Sequence, residues 1–337
     1  MDQRPKPLAE LHAHIGASAD PWVMWSIAHA QGIKLPTKDY WEFEELATVS
    51  PDKPRKSLAD YLKILHETTE VIQSSTFAME QVTHEIIGEM YRTSNATVVE
   101  LRYNPMKRNK GGQQDLDHII MATLRGMDRA LLEYPQVSAG LILSLDRQFT
   151  YEQNEVIAEK AIRYHRRGVI AIDFANSGDG TFHFKDYKEL IGRCKKAGLK
   201  VTAHTGESPD TDDMWEAIEF AEPDRIGHGI RSAFDKDLMK ELVKRDIVLE
   251  VCPSSNLSTS AVKNVEELKE IIRTLVEHKV KITINTDGPK VVKGASLKGE
   301  FEFLKRHKIL DDEELETARK TAFEATFVKR QGIDAYL

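Results

Sequence analysis

Histidines and acidic residues recur in short, mostly glycine-containing motifs that are spread along a chain of 337 residues. The motifs are "LHAHIG" with His12 and His14, "AHTGE" with His204 and Glu207, "GHG" with His228, and "NTDGP" with Asp287. Three imidazoles and one carboxylate form a nitrogen and oxygen donor set that suits zinc and leaves room for a water molecule. Such an ion lowers the pKa of that water, and the remaining titratable groups could then move protons. These residue types predict a metal-assisted hydrolysis.

Taken singly, each motif also has a purely structural explanation. In a strand, alternate side chains share a face, so His12 and His14 could be two partly exposed neighbours at a strand end. Glu207 could stabilise the N-terminus of a helix through the helix dipole. His228 could mark a tight strand end, and Asp287 before Gly-Pro is a good turn residue. The elements that carry these motifs must therefore decide between the two explanations.

Short β-rich segments alternate with segments of helical period along most of the chain. The predicted strands cover residues 8–15, 97–105, 137–145, 169–176, 199–207, 224–230, 246–256 and 281–289. This alternation indicates right-handed βα units and a parallel sheet. Eight such units predict a closed (β/α)8 TIM barrel of the α/β class, with an open doubly wound sheet as the alternative. No Gly-x-Gly-x-x-Gly motif follows any of these strands, which counts against a dinucleotide-binding sheet.

The barrel prediction brings the unusual residues to one place. In such barrels chemistry occurs where the strands run into the following loops. The four motifs all fall at C-terminal ends of predicted strands, namely strands 1, 5, 6 and 8. Chance placement would scatter them over both rims. Their convergence favours the functional explanation for the whole set.

The connection after strand 1 is long and carries helical spacing. Residues 19–95 contain "SLADYLKILHETTEVI" and "AMEQVTHEIIGEMYRT", both with apolar residues at helical intervals. We expect a helical insertion that covers one end of the barrel. The whole chain, residues 1–337, is predicted to be a single domain.

Composition excludes several classes of partner. The net charge is −7 at pH 7 and no block of basic residues is present, which argues against binding a nucleic-acid polymer. No apolar run is long enough to span a membrane, and the N-terminus lacks a signal-peptide core. Two cysteines, Cys194 and Cys252, are too few for a disulfide framework, and we expect both to be packed thiols. These features predict a cytoplasmic protein that acts on a small molecule.

The set "ELHAHIG", "AHTGE", "RIGHGI", "EVCPSSN" and "NTDGP", in this order, resembles the adenosine deaminase group of the amidohydrolase superfamily. The resemblance covers residues 8–290 and implies a TIM barrel with one zinc ion that activates water to displace an amino group from a purine. It implies that the metal ligands are His12, His14, His204 and Asp287. It also implies that Glu207 protonates the purine ring nitrogen and that His228, with Asp287, orients and deprotonates the water.

Two related classes of enzyme fit less well. Cytidine-type zinc deaminases use a Pro-Cys-x-x-Cys motif, and the two cysteines here are far apart. Binuclear amidohydrolases place a bridging lysine after strand 4, whereas this chain reads "IDFANSG" there. The resemblance therefore implies one zinc ion per chain.

The resemblance implies that substrate contacts His14 and three further positions. All three of these further positions depart from the family pattern. Gly16 stands where the family commonly has Asp or Asn, Asn176 where it has glycine, and Gly288 where it has a second aspartate. We expect a pocket with more space at Gly16 and fewer polar contacts to a nucleoside. The predicted substrate is an aminated purine or related heterocycle, as base, nucleoside or nucleotide, with adenosine itself a poor substrate.

Two further hypotheses remain open from the sequence. The same barrel could hydrolyse an amide or ester bond, although such a reaction needs no acid aimed at a ring nitrogen, the role expected of Glu207. It could also be a metal-binding protein without catalysis, for which a broken water-activating set would be typical. Release of ammonia from aminated substrates separates these hypotheses from a deaminase.

Overall fold

The computed structural model describes residues 5–49, 63, 65–110, 115–176, 180–208, 210–292 and 295–329. Within these residues, eight parallel strands are hydrogen-bonded in sequence order. They are β1 (Leu8–His14), β2 (Ala96–Tyr103), β3 (Ser138–Asp146), β4 (Val169–Ala175), β5 (Lys200–Thr205), β6 (Arg225–His228), β7 (Val248–Val251) and β8 (Ile282–Ile284). The predicted (β/α)8 TIM barrel is confirmed.

The residues that follow β8 close the sheet against β1. The backbone of Asp287 donates to the carbonyl of His12 at 2.9 Å and accepts from the N–H of His14 at 2.8 Å. The side chain of Asn285 accepts from the N–H of Leu11 at 3.0 Å. These contacts bind the end of β1 to the loop after β8, so two of the sequence motifs lie side by side.

Helices cover the outside of the barrel. The α-helices are Ile15–Ser18, Pro21–Ala30, Tyr40–Ala47, Glu70–Ile72, Thr76–Ser94, Leu116–Glu133, Tyr151–Tyr164, Lys188–Lys196, Asp212–Glu216, Lys236–Lys244, Pro253–Ser258, Val265–Glu277, Leu297–Arg306 and Asp312–Ala325. Short 3-10 or π segments are Leu65–Thr69, Pro105–Arg108, His165–Arg167, Phe184–Tyr187, Ala217–Ala221 and Ile230–Phe234. None of the helices described is long and apolar enough to cross a membrane.

Local signals explain where many of these helices begin and end. The Asn264 side chain accepts from the N–H of Glu267 and caps the helix that follows. Gly198 has a φ of +99°, a conformation that closes the helix before β5 at little cost for glycine. The prediction of a strand over 246–256 was too long, because Pro253 begins a short helix immediately after β7.

The insertion after β1 is mostly helical where it is described, as predicted. Thr76–Ser94 contains the predicted segment 78–93 and is capped by the side chain of Ser75. Much of the other predicted segment, 57–72, lies outside the described residues. Val49 pairs with Val292, and its N–H donates to the carbonyl of Val291 at 2.5 Å. The insertion is thereby attached to the loop after β8, at the same end of the barrel as the histidine motifs.

Candidate active site

Three histidines and one aspartate converge at the carboxyl ends of the strands. His12 and His14 come from β1, His204 from β5 and Asp287 from the loop after β8. The Nε2 atoms of His14 and His204 are 2.9 Å apart. Oδ1 of Asp287 lies 3.6 Å from Nε2 of His12 and 3.4 Å from Nε2 of His14. One ligand atom from each of the four residues fits within a span of 4.8 Å, so the four side chains form one cluster.

The protonation pattern of this cluster suits a cation. Nδ1 of His12 lies 2.6 Å from a carboxylate oxygen of Glu250, and Nδ1 of His204 lies 3.0 Å from one of Asp173. Since a carboxylate accepts, each Nδ1 carries a proton, and Nε2 of each imidazole is the atom directed at the cluster that could bind a metal ion. Nε2 of His12 is buried and has no hydrogen-bond partner among the described residues. Burial lowers the pKa of His204 and lowers the pKa of His14 well below its ordinary value, so both imidazoles are neutral at pH 7. These donors fit a metal ion.

Glu250 is the anion that fixes His12. It is fully buried and also accepts from Arg102 and Arg225, each at 2.7 Å. Although burial alone would raise its pKa, the two guanidinium groups hold the pKa of Glu250 well below its usual range. The carboxylate is therefore charged and can orient the imidazole. Asp173 plays the corresponding part for His204, and its pKa is likewise lowered.

Asp287 is held in an unusual backbone conformation. Its φ is +62°, in the left-handed region that few non-glycine residues adopt. His228 and Asn176, at φ +61° and +74°, share this feature at the ends of other strands. The hydroxyl of Ser255 donates to Oδ2 of Asp287 at 2.6 Å, which leaves Oδ1 directed at the histidines. Strained residues persist where the surrounding structure fixes them, as is common at functional sites.

Glu207 and His228 lie next to the cluster. Oε2 of Glu207 is 3.5 Å from Nε2 of His228. Burial, together with the charge of Asp287, raises the pKa of Glu207 to about 8. Burial, together with the nearby His12, lowers the pKa of His228 well below its ordinary value. At neutral pH the site therefore offers a protonated carboxylic acid beside a neutral imidazole.

Glycines let the strand ends approach each other around these groups. A Cβ on Gly227 would lie 2.8 Å from Cε1 of His12. Gly206 has a φ of +72°, and a Cβ there would lie 2.4 Å from Sδ of Met214. The glycines at positions 206 and 227 therefore allow the strand ends to pack more closely than any larger residue would.

Two of the predicted substrate-contact positions line one pocket beside the cluster. Gly16 and Asn176 share this pocket with His14, and it encloses about 520 Å³, including space open to solvent. The extra space expected at Gly16 is occupied, because a Cβ there would lie 2.8 Å from Nη2 of Arg108. Gly288 is not among the residues that line this pocket; its N–H donates to the carbonyl of Thr286 at 2.7 Å.

Several residues of the site were missed by sequence reasoning. They are Asp173, Glu250, Ser255, Asn256, Arg102 and Arg108. Two of the quoted motifs contain some of them: "IDFANSG" includes Asp173, and "EVCPSSN" begins at Glu250 and includes Ser255 and Asn256. Their part in the site depends on pairings between distant strands, which the motifs alone do not reveal. Cys194 and Cys252 are buried free thiols, as expected.

The sequence model that describes adenosine deaminases matches residues 7–335 of the chain. The chain belongs to the adenosine deaminase family. An adenosine deaminase from Shewanella loihica is 30% identical over 324 residues, which cover 96% of this chain and 94% of that relative. This member of the family is thus a deaminase-like enzyme with the amidohydrolase fold.

Solved structures share the barrel. An adenine deaminase from Arthrobacter aurescens superposes with a TM-score of 0.85 at 22% identity, covering 98% of this chain and 97% of that one. The Arabidopsis protein ADAL in complex with GMP gives 0.81 at 22% identity, covering 98% and 95%. An amidohydrolase from Burkholderia ambifaria with bound Zn gives 0.81 at 18% identity, covering 98% and 88%. At identities of 18 to 22%, these structures show that the fold is shared.

Proposed function

We propose that this protein is a mononuclear zinc aminohydrolase that releases ammonia from an aminated purine or a related heterocycle. The observation that carries the proposal is the joint presence of four converging ligand atoms and a protonated glutamic acid beside them. Hydrolysis of a simple ester needs no proton donor aimed at a ring nitrogen, which is the role proposed for Glu207. The bound Zn of the Burkholderia ambifaria neighbour supports the choice of metal.

The metal-holding residues would be His12, His14, His204 and Asp287, with one ion per chain. When bound, the ion would supply the charge that lowers the pKa of a water molecule toward neutrality. The paired carboxylates behind His12 and His204 keep both imidazoles in the tautomer that a metal requires.

Glu207 would be the general acid. The carbon that bears the amino group of an aminated purine is a poor electrophile until the neighbouring ring nitrogen is protonated. A glutamic acid with a pKa of about 8 is mainly protonated at pH 7 and can give up that proton to the ring. Loss of the amino group as ammonia then completes a hydrolytic deamination.

His228, with Asp287, would orient and deprotonate the attacking water. Its imidazole is neutral, and its Nδ1 contacts the side-chain amide of Asn256 at 3.1 Å. Oδ1 of that amide has no hydrogen-bond partner among the described residues. Turning the amide by 180° brings Oδ1 to Nδ1, so that His228 donates there and keeps Nε2 free to accept a proton.

Substrate would lie against His14, Gly16 and Asn176, which line one pocket, and would reach Gly288 only beyond that pocket. Asn176 has a left-handed backbone, which a glycine would also adopt at this position. Its side-chain nitrogen already donates to both oxygens of Asp146, at 3.2 and 3.3 Å. Contact with the base would therefore come from the backbone of Asn176 rather than from its amide group.

Ammonia release from a defined panel tests this function. Zinc-loaded protein is incubated with adenine, adenosine, AMP, aminopyrimidines and aminopterins, and with amide and ester substrates that carry no amino-heterocycle. We expect ammonia from at least one aminated purine and no cleavage of the esters. Hydrolysis of the amide or ester substrates without deamination would overturn the proposal in favour of the alternative reaction.

A further inference from the structure

Glu300 is a buried acidic residue to which the proposed reaction assigns no part. It lies in the first turn of the helix Leu297–Arg306, which begins after β8 and is capped by the side chain of Ser296. The residue is only 1% exposed, and burial raises the pKa of its carboxyl group to about 7. An apolar side chain of similar size would fill this space without the cost of burying a carboxyl group. Packing alone therefore does not explain why an acid stands at this position.

The carboxyl group of Glu300 binds the beginning of a second helix. One of its oxygens accepts from the backbone N–H of Ser254 at 3.1 Å, and the hydroxyl of Ser254 also hydrogen-bonds to it. Ser254 is the second residue of the helix Pro253–Ser258, and the residue before this helix, Cys252, makes no side-chain cap. The first N–H groups of a helix have no acceptor within the helix. Glu300 therefore caps this helix from a position 46 residues further along the chain.

The two residues that follow Ser254 hold the groups assigned to the activation of water. The hydroxyl of Ser255 donates to Oδ2 of Asp287 at 2.6 Å, and the side-chain amide of Asn256 lies 3.1 Å from Nδ1 of His228. Ser255 and Asn256 are fully buried and belong to the same short helix. A displacement of this helix would therefore alter its contacts with Asp287 and with His228 at the same time.

Backbone contacts hold the other end of this helix. The N–H of Thr259 donates to the carbonyl of Ser255 at 2.8 Å, and the N–H of Val262 donates to the carbonyl of Asn256 at 3.0 Å. These contacts fix the C-terminal end of the helix and the loop after it, whereas Glu300 holds the N-terminal end. Loss of the Glu300 carboxyl group would release the end of the helix that lies next to Ser255.

We propose that Glu300 is a positioning residue of the active site. By binding Ser254 it fixes the helix Pro253–Ser258, which in turn holds Asp287 and His228 in place. This inference rests on the proposed deaminase function and adds a residue that acts through the helix. Glu300 is not among the residues that line the pocket beside the histidine cluster. Its loss should therefore lower kcat and zinc affinity while KM changes little.

A double-mutant cycle, with zinc affinity measured by chelator competition, tests whether Glu300 acts through Ser255. Ser255→Ala removes a hydrogen bond to a metal ligand and should weaken zinc binding about ten- to hundredfold, whereas Glu300→Ala should weaken it about threefold or more. If Glu300 acts by placing Ser255, the double variant should bind zinc as weakly as Ser255→Ala, to within about twofold. Losses that multiply would overturn the proposal. Wild-type zinc affinity and kcat in Glu300→Ala would overturn it as well.

Two substitutions of similar size separate positioning from packing. Glu300→Gln keeps an oxygen that can accept from the N–H of Ser254, so it should recover most of the kcat and zinc affinity that Glu300→Ala loses. Glu300→Met fills the same space without that acceptor and should remain impaired. Equal recovery in the two variants would show that Glu300 serves packing only, and would overturn the proposal.

The matched control is Glu302→Ala, because Glu302 lies on the same helix and its exposed side chain pairs with Lys298 at 3.5 Å. This variant should retain the zinc affinity and turnover of the wild type. Circular dichroism and unfolding midpoints of every variant separate loss of position from loss of the fold. A wild type that binds zinc but releases no ammonia would count against the proposed function alone, since the zinc affinities still decide the role of Glu300.

Discussion

The change Glu207→Gln removes a dissociable proton beside the histidine cluster while it preserves the size of the side chain. With an ordinary pKa of 4.5 only about one glutamate in 300 would be protonated at pH 7, whereas a pKa of about 8 leaves about nine-tenths protonated. Burial thus raises the supply of the acid form by a factor of about 300. A missing general acid typically costs about a hundredfold or more in rate. We expect kcat for ammonia release to fall by at least that factor.

The same residue predicts a direction of pH dependence. Because the pKa of Glu207 is raised, its acid form persists up to about pH 8 and is lost above it. Activity of the wild type should therefore decline about tenfold per pH unit on the alkaline side of pH 8. The variant, which has no such proton to lose, should lack this decline in its residual activity.

The assay follows ammonia by a coupled enzyme at saturating substrate, with bound metal measured on the same sample. Glu219→Gln, an exposed glutamate in the segment Ala217–Ala221, serves as the matched control and should behave as the wild type. Variant turnover within a few-fold of wild type would refute the assignment of Glu207 as proton donor. Loss of metal from the variant would show that Glu207 is a ligand instead.

Three further changes test the surroundings of the site. Asp173→Asn removes the carboxylate that accepts from Nδ1 of His204, so zinc affinity measured by chelator competition should fall about ten- to hundredfold; unchanged affinity would contradict the tautomer argument. Gly227→Ala places a Cβ 2.8 Å from His12 and should weaken zinc binding, whereas Gly192→Ala, with open space around its Cβ, should not; equal affinities would contradict this. Burial raises the pKa of Glu300 to about 7, so ionising it costs more in the folded than in the unfolded chain. Glu300→Gln should gain stability relative to the wild type as pH rises from about 4.5 to about 7, by up to about 3 kcal/mol in chemical denaturation; a constant difference would contradict the shift.

Much of the fold was predictable because each βα unit carries local signals. The strand cores were correctly placed, and Asn264 and Gly198 marked helix ends through their own conformational preferences. Strand ends were less predictable: β7 stops at Val251, where the chain changes direction into the helix begun by Pro253. Whether a strand continues there depends on pairing with its neighbours, which a single segment does not encode.

The clustering of the histidines with Asp287 could be predicted from the position of active sites in barrels. The residues that pack around these side chains could not. His12 and Asp287 were expected together because strand ends of a barrel share one rim. Nothing in the sequence near Gly16 indicates that Arg108 lies against it, since the two residues belong to loops after different strands. Such contacts depend on side-chain packing across the finished barrel.

The central proposal is tested most directly by titrating zinc into the metal-free protein. Ammonia release is measured at each step with the aminated purine that the protein deaminates fastest. The rate should rise in proportion to added zinc and reach a plateau at about one equivalent per chain. His14→Ala should remain inactive at the same zinc concentrations, because it lacks a ligand of the cluster. Absence of ammonia at every zinc level, or a plateau at two equivalents, would contradict a mononuclear zinc deaminase.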